Sequence, residues 1–148
     1  MAEMNFIDYV AVQGEIRDSI NAHLPTITDF PVDYCSVDGL LEQTPSMSMV
    51  FMPTGHEYMA DMRNYYRQVS FMLQYRGHGS TSDDKLDCMK ALEYLAISLK
   101  RLNIQLQNDK IVLGLECTLS PSVQSYDETG ETCVYSVTFQ LNYKQKRV

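Results

Sequence analysis

The chain has 148 residues, enough for one compact domain and too few for two independent cores joined by a linker. It is 45% apolar and 21% charged, the composition of a folding domain. Its net charge of −7 and sequence pI near 4.8 argue against a protein that wraps nucleic acid through a basic face. The charge is uneven: residues 1–62 hold ten acids against Arg17 alone, a balance of −9, whereas residues 63–148 hold eleven bases against nine acids, a balance of +2. Unlike halves on one protomer favour head-to-tail association between copies. No apolar run approaches the roughly 18 residues that cross a bilayer. The opening Met-Ala-Glu-Met-Asn lacks the basic leader of a secretory signal, so no membrane partner is expected. Cys35, Cys88, Cys117 and Cys133 are spaced by 53, 29 and 16 residues, with no C-x-x-C pair. They are expected to be reduced core residues of a cytosolic product.

In chain order, Phe6, Ile7, Val10, Ile16, Ile20 and Leu24 predict a helix over residues 4–23, ended by Pro25. Two short strands fit the stretch that follows, residues 32–37 and 46–52. Over residues 65–75, Val69, Phe71, Leu73 and Tyr75 alternate with Gln68, Ser70, Met72 and Gln74, the period of a half-buried strand. After a Gly-Ser-Thr loop, Leu86, Met89, Leu92, Leu95, Leu99 and Leu102 mark a long amphipathic helix. Ser82 is its expected cap, with Asp83 and Asp84 in the first turn and Lys100 and Arg101 in the last. A strand then places Ile111, Leu113, Leu115, Cys117 and Leu119 on one side and stops at Pro121. The turn at Asp127-Glu128-Thr129-Gly130 leads into a second, over residues 133–144, forming an antiparallel hairpin. The expected fold is a single α+β domain over residues 1–148, with a mainly antiparallel sheet of four to five strands. An N-terminal helix and one long helix lie on one face, and residues 144–148 form a short polar tail.

Chemistry-bearing patterns are weak. Gly77-His78-Gly79-Ser80-Thr81-Ser82 opens a helix but lacks the Lys-Ser/Thr of a P-loop, and Asp83 and Asp84 would repel a phosphate. His23, His56, His78 and the cysteines have no short paired spacing for zinc. There is no G-x-S-x-G elbow, and the paired acids at Asp83/Asp84 and Asp127/Glu128 lie in turn-like stretches. The chain therefore reads as a protein without catalytic residues or cofactor. The polar sheet face carrying Gln68, Gln74, Glu116, Gln140 and Asn142 fits either a solvated surface or packing against a neighbouring copy. Arg63, Arg67 and Arg76 flank the first strong strand, and Lys144 begins the basic end. These nine residues are the expected subunit or tube contacts.

The stretch Met52-Pro53-Thr54-Gly55, followed by Met62-Arg63-Asn64-Tyr65-Tyr66-Arg67-Gln68-Val69-Ser70-Phe71-Met72-Leu73-Gln74-Tyr75-Arg76-Gly77, resembles the tail terminator proteins of long-tailed bacteriophages, also filed as minor capsid or tail-completion proteins. The final hairpin is similar as well, through Leu115-Glu116-Cys117-Thr118-Leu119-Ser120-Pro121 and Tyr135-Ser136-Val137-Thr138-Phe139-Gln140-Leu141-Asn142-Tyr143. The likeness covers roughly residues 45–145. It implies a structural virion protein of the tail and neck, assembled in the host cytoplasm, that forms a ring, commonly a hexamer. Such a ring caps the finished tail tube, stops its polymerisation and meets the head connector, while DNA passes through the lumen without specific binding. Its implied partners are itself, the tail tube protein and the head connector or adaptor protein. A neighbouring head-to-tail adaptor shares the size and acidity, and a ligand-binding domain is the remaining alternative. In the ring reading the acidic first 62 residues face the lumen or one side of the joint, and Arg63, Arg67 and Arg76 receive them.

Overall fold

A computed structural model describes residues 2–28, 30–37, 44–52, 58–59, 64–102, 104–106 and 110–146. Helix α1 spans Ala2–His23 and runs into a 3-10 turn, Leu24–Thr26, where Pro25 ends the helical ladder. Strands β1 (Ser46–Met52), β2 (Tyr58–Met59) and β3 (Asn64–His78) follow, then helix α2 (Ser82–Lys100) and the hairpin β4 (Lys110–Tyr126) and β5 (Thr132–Lys146). All strand pairings are antiparallel, in the order β1-β3-β5-β4, with β2 pairing β3 alongside β1. The architecture is α+β, as the pattern of elements predicts.

One face of the sheet holds the core. Val69, Phe71, Leu73 and Tyr75 of β3 join Tyr135, Val137, Phe139 and Leu141 of β5, and Phe71 stacks on Phe139 at 5.4 Å between ring centroids. Helix α1 contributes Val12, Ile16 and Ile20, and α2 contributes Leu92, Leu95 and Leu99. Each such side chain, fully buried, stabilises the fold by about 1.5–3 kcal/mol. The two helices are tied directly by a 2.7 Å hydrogen bond between His23 Nε2 and Ser98 Oγ. At the end of β3 the backbone of Gly79 runs against Cys133, whose sulfur lies where a Cβ on residue 79 would sit. The 77–82 loop thus begins later than its glycines suggest, because Gly77 and His78 remain in the strand.

Several local expectations change. Residues 32–37 form no strand; only Ser36 bridges, to Ser48 of β1. This segment is instead clamped to α1, since Asn21 Nδ2 donates to the Cys35 carbonyl (3.1 Å) and Asn21 Oδ1 accepts from the Cys35 N–H (2.7 Å). The cap of α2 is Thr81 rather than Ser82, its hydroxyl accepting from the Asp84 N–H at 3.1 Å. Pro121 does not stop β4, because β4 is an edge strand and the missing N–H falls in a register shift between Leu119 and Ser122. Another shift, between Val112 and Gly114, reverses the inward set at the start of β4. Val112, Leu115 and Cys117 pack on the core, while Ile111 and Leu113 are exposed. Finally, β5 continues to Lys146, so positions 144–146 are strand and not tail.

The hairpin turn follows its composition. Gly130 takes φ +72°, a left-handed conformation that residues with a Cβ adopt only at a cost. Its N–H donates to the Asp127 carbonyl at 2.9 Å, and the Asp127 N–H donates to the Thr132 carbonyl at 3.0 Å.

Candidate functional site

The expected contact residues separate into six on one sheet face and the three arginines. Gln68, Glu116, Gln140 and Asn142 come together on the sheet face opposite the core, where with Tyr66, Arg67, Leu113, Gly114 and Tyr143 they line a hollow of about 400 Å³. Register places Gln68 opposite Asn142 and Gln140 opposite both Ser70 and Glu116. Gln140 Nε2 donates to Asn142 Oδ1 at 3.0 Å. Gln74 lies further along the same face and donates to Gln124 Oε1 at 3.1 Å. Lys144 is half-buried there, in register with Tyr66 and Ile111. The side chains of this face are mostly half-buried or exposed, with Ser46, Ser48, Val134 and Thr138 buried within it.

Of the three arginines expected to receive the acidic half, the structure places Arg67 and Arg76. Arg67 is only 8% exposed and shares the core side of β3 with Val69, opposite the fully buried Tyr143. Arg76 is committed within the protomer: its Nη1 donates to both carboxylate oxygens of Asp127, at 2.9 and 3.1 Å, bracing the hairpin turn. Arg63 lies outside the described residues.

Residue periodicity missed the second surface. Among the described residues eight large hydrophobic side chains are exposed, and seven of them belong to α2 or β4: Leu86, Tyr94 and Ile97 on the helix, Ile111, Leu113, Leu119 and Tyr126 on the strand. Leu86, predicted as core, is 51% exposed. A groove of about 550 Å³ runs between α2 and β4, with Met89, Ala96, Ile97 and Pro121 in its walls and Lys90, Glu93 and Lys100 at its rim. Of the seven, Leu86 and Ile97 line this groove, whereas Ile111, Leu113 and Leu119 lie on the sheet face opposite the core; exposed apolar patches of this kind mark interaction surfaces. The signals in the sequence were present but pointed elsewhere. Pro121 read as a stop, which removed the second half of β4 from consideration, and the bulges that turn Ile111 and Leu113 outward leave no composition mark.

All four cysteines are free thiols, Cys35 and Cys133 buried and Cys88 and Cys117 half-buried. Burial pushes the Cys35 thiol from 9.0 up to about 12, and it also raises Cys88 and Cys117. These sulfurs are protonated at neutral pH, the opposite of an activated nucleophile. Tyr75 is pushed up to about 12 by burial and the neighbouring Cys88, and Tyr135 is raised by burial while donating to the His78 carbonyl at 2.7 Å. Among the described residues no group of three or more His, Cys, Asp or Glu side chains is placed to hold a metal ion, and no helix is long and apolar enough to cross a membrane. In comparisons with known proteins, no family model and no curated protein matches the chain.

Proposed function

We propose that this protein is a structural assembly subunit that closes into a ring on the end of a phage tail tube, halts tube growth and presents the joint to the head connector. The observation that carries this reading is exposed apolar surface, with Leu86 and Ile97 in the α2–β4 groove and Ile111, Leu113 and Leu119 on the sheet face opposite the core. A protomer that worked alone would leave this surface in water at a cost, whereas a subunit buries it against another molecule. The opposite sheet face supports the same role. Its amide and hydroxyl side chains form direct hydrogen bonds across an interface without desolvating charges. The resemblance of β3 and of the hairpin to tail terminators supplies the identity of the assembly.

The test is direct. Sedimentation analysis of the protein, alone and mixed with its cognate tail tubes, is combined with negative-stain imaging of the tube ends. Ring-shaped caps and arrested elongation of the tube are the expected result. Monomers beside bare, still-growing tube ends would overturn the reading.

A further inference from the structure

The eighth exposed hydrophobic residue is Tyr34, 61% exposed and two residues before Ser36, which bridges β1 at the sheet edge opposite β4. Its neighbours explain why it stands out. Val32 and Cys35 are buried, Phe30 sits 6.4 Å from the Tyr75 ring, and Asn21 holds both backbone groups of Cys35. Asp33 and Tyr34 are therefore presented on a braced turn with Pro31 exposed beside them. An aromatic ring and a carboxylate on a rigid segment form a preorganised anchor, the type of group that dominates interface energetics.

The α2–β4 groove complements this anchor in polarity and in charge. Its walls are apolar, its volume of about 550 Å³ exceeds what a single phenol ring requires, and its rim carries Lys90 and Lys100 against the single acid Glu93. The first 62 residues, which contain the anchor, hold the −9 balance of the chain, and the groove belongs to the half that holds +2. We propose that Asp33 and Tyr34 of one copy dock in the α2–β4 groove of the next, with Tyr34 against Met89, Ile97 and Pro121 and Asp33 facing Lys90 and Lys100. Anchor and groove are different patches of one protomer, so the contact is heterologous and propagates from copy to copy until it closes. This contact rests on the assembly reading above and specifies the copy-to-copy interface within it.

Replacement of Tyr34 by the photoreactive aromatic p-benzoylphenylalanine keeps a ring at that position and reports what it touches. Irradiation of the full chain, free and on tail tubes, is expected to give a covalent ladder beyond dimers, with cross-linked peptides from residues 86–100 and 117–121. Absence of cross-links in both samples, cross-links to other segments, or a ladder that stops at dimers overturns the proposal. The charge component is tested separately. Asp33→Lys is expected to raise the concentration for half-association about tenfold, and adding Lys100→Asp to restore it to within about threefold. Asp18→Lys, the same charge change on α1, is the control, and an equal effect there overturns the pairing. Capped tubes without these cross-links would reject this contact and leave the assembly reading standing. Ladders beside bare tube ends would do the reverse.

Discussion

At the β1 edge of the sheet, the Ser36 N–H donates to the Met47 carbonyl at 3.1 Å and the Ser36 carbonyl accepts from the Met49 N–H at 2.7 Å, while Asn21 locks the preceding residue, Cys35, to α1. At the β4 edge, 17 residues run with β5 on one side and no described strand on the other. An open edge of that length invites strand addition. Here it carries four register shifts and Pro121, features that interrupt the regular ladder a foreign strand would need. One edge is thus sealed by hydrogen bonds and the other is spoiled for backbone pairing but rich in exposed side chains. The difference teaches that the association proposed above would use side-chain packing over the groove, and not extension of the sheet from copy to copy.

The largest effect is expected from the core that both edges share. Phe71→Ala removes the ring stacked on Phe139 at the centre of β3 and should cost about 3–5 kcal/mol in denaturant unfolding; a loss below about 1 kcal/mol would mean that the sheet is not held together at this point.

Alkaline titration sharpens the contrast at the sealed edge. The Cys35 thiol is raised from 9.0 to about 12 in the fold, so the folded state retains protons that the unfolded chain releases above pH 9. Its contribution is fully present below pH 9 and is lost as pH rises through about 12, at roughly 1.4 kcal/mol per pH unit for this group. Urea midpoints measured between pH 8 and 11 should fall with pH, and Cys35→Ala should flatten part of that slope. A smaller loss, about 1–3 kcal/mol, is expected from Asn21→Ala, which leaves two backbone groups of Cys35 without partners. Hydrogen exchange should quicken at Ser36 and Met49 before it changes in β5, and uniform quickening across the sheet would contradict a local seal.

The smallest effect belongs to the open side. Leu119→Lys replaces a side chain that is 63% exposed and should change stability by no more than about 0.5 kcal/mol. Its influence should appear in association, read by sedimentation of the folded variant. A large loss of stability would show that Leu119 supports the protomer itself.

Periodicity determined the α+β class, β1 at residues 46–52, the inward set of β3 and β5 and the extent of α2, because each depends on a local pattern that repeats along one element, and the Asp127–Gly130 turn was legible from its composition. Apolar spacing also located the buried faces of α1 and α2 at Ile16, Ile20, Leu92, Leu95 and Leu99. Only the tertiary structure decided which side chains remain in water. Arg67 and Leu86 have the surroundings their neighbours give them, and Arg76 is occupied by an acid 51 residues away. The bulges of β4 arise from its pairing with β5, and they turn Ile111 and Leu113 outward without any mark in composition. The amphipathic pattern states that α2 has a buried face, but how far that face is covered depends on where β4 runs, and that is set by long-range register. For the same reason the −9 and +2 halves of the chain, visible in the sequence from the start, acquire a possible point of contact only when Tyr34 and the α2–β4 groove are seen on separate surfaces of one protomer.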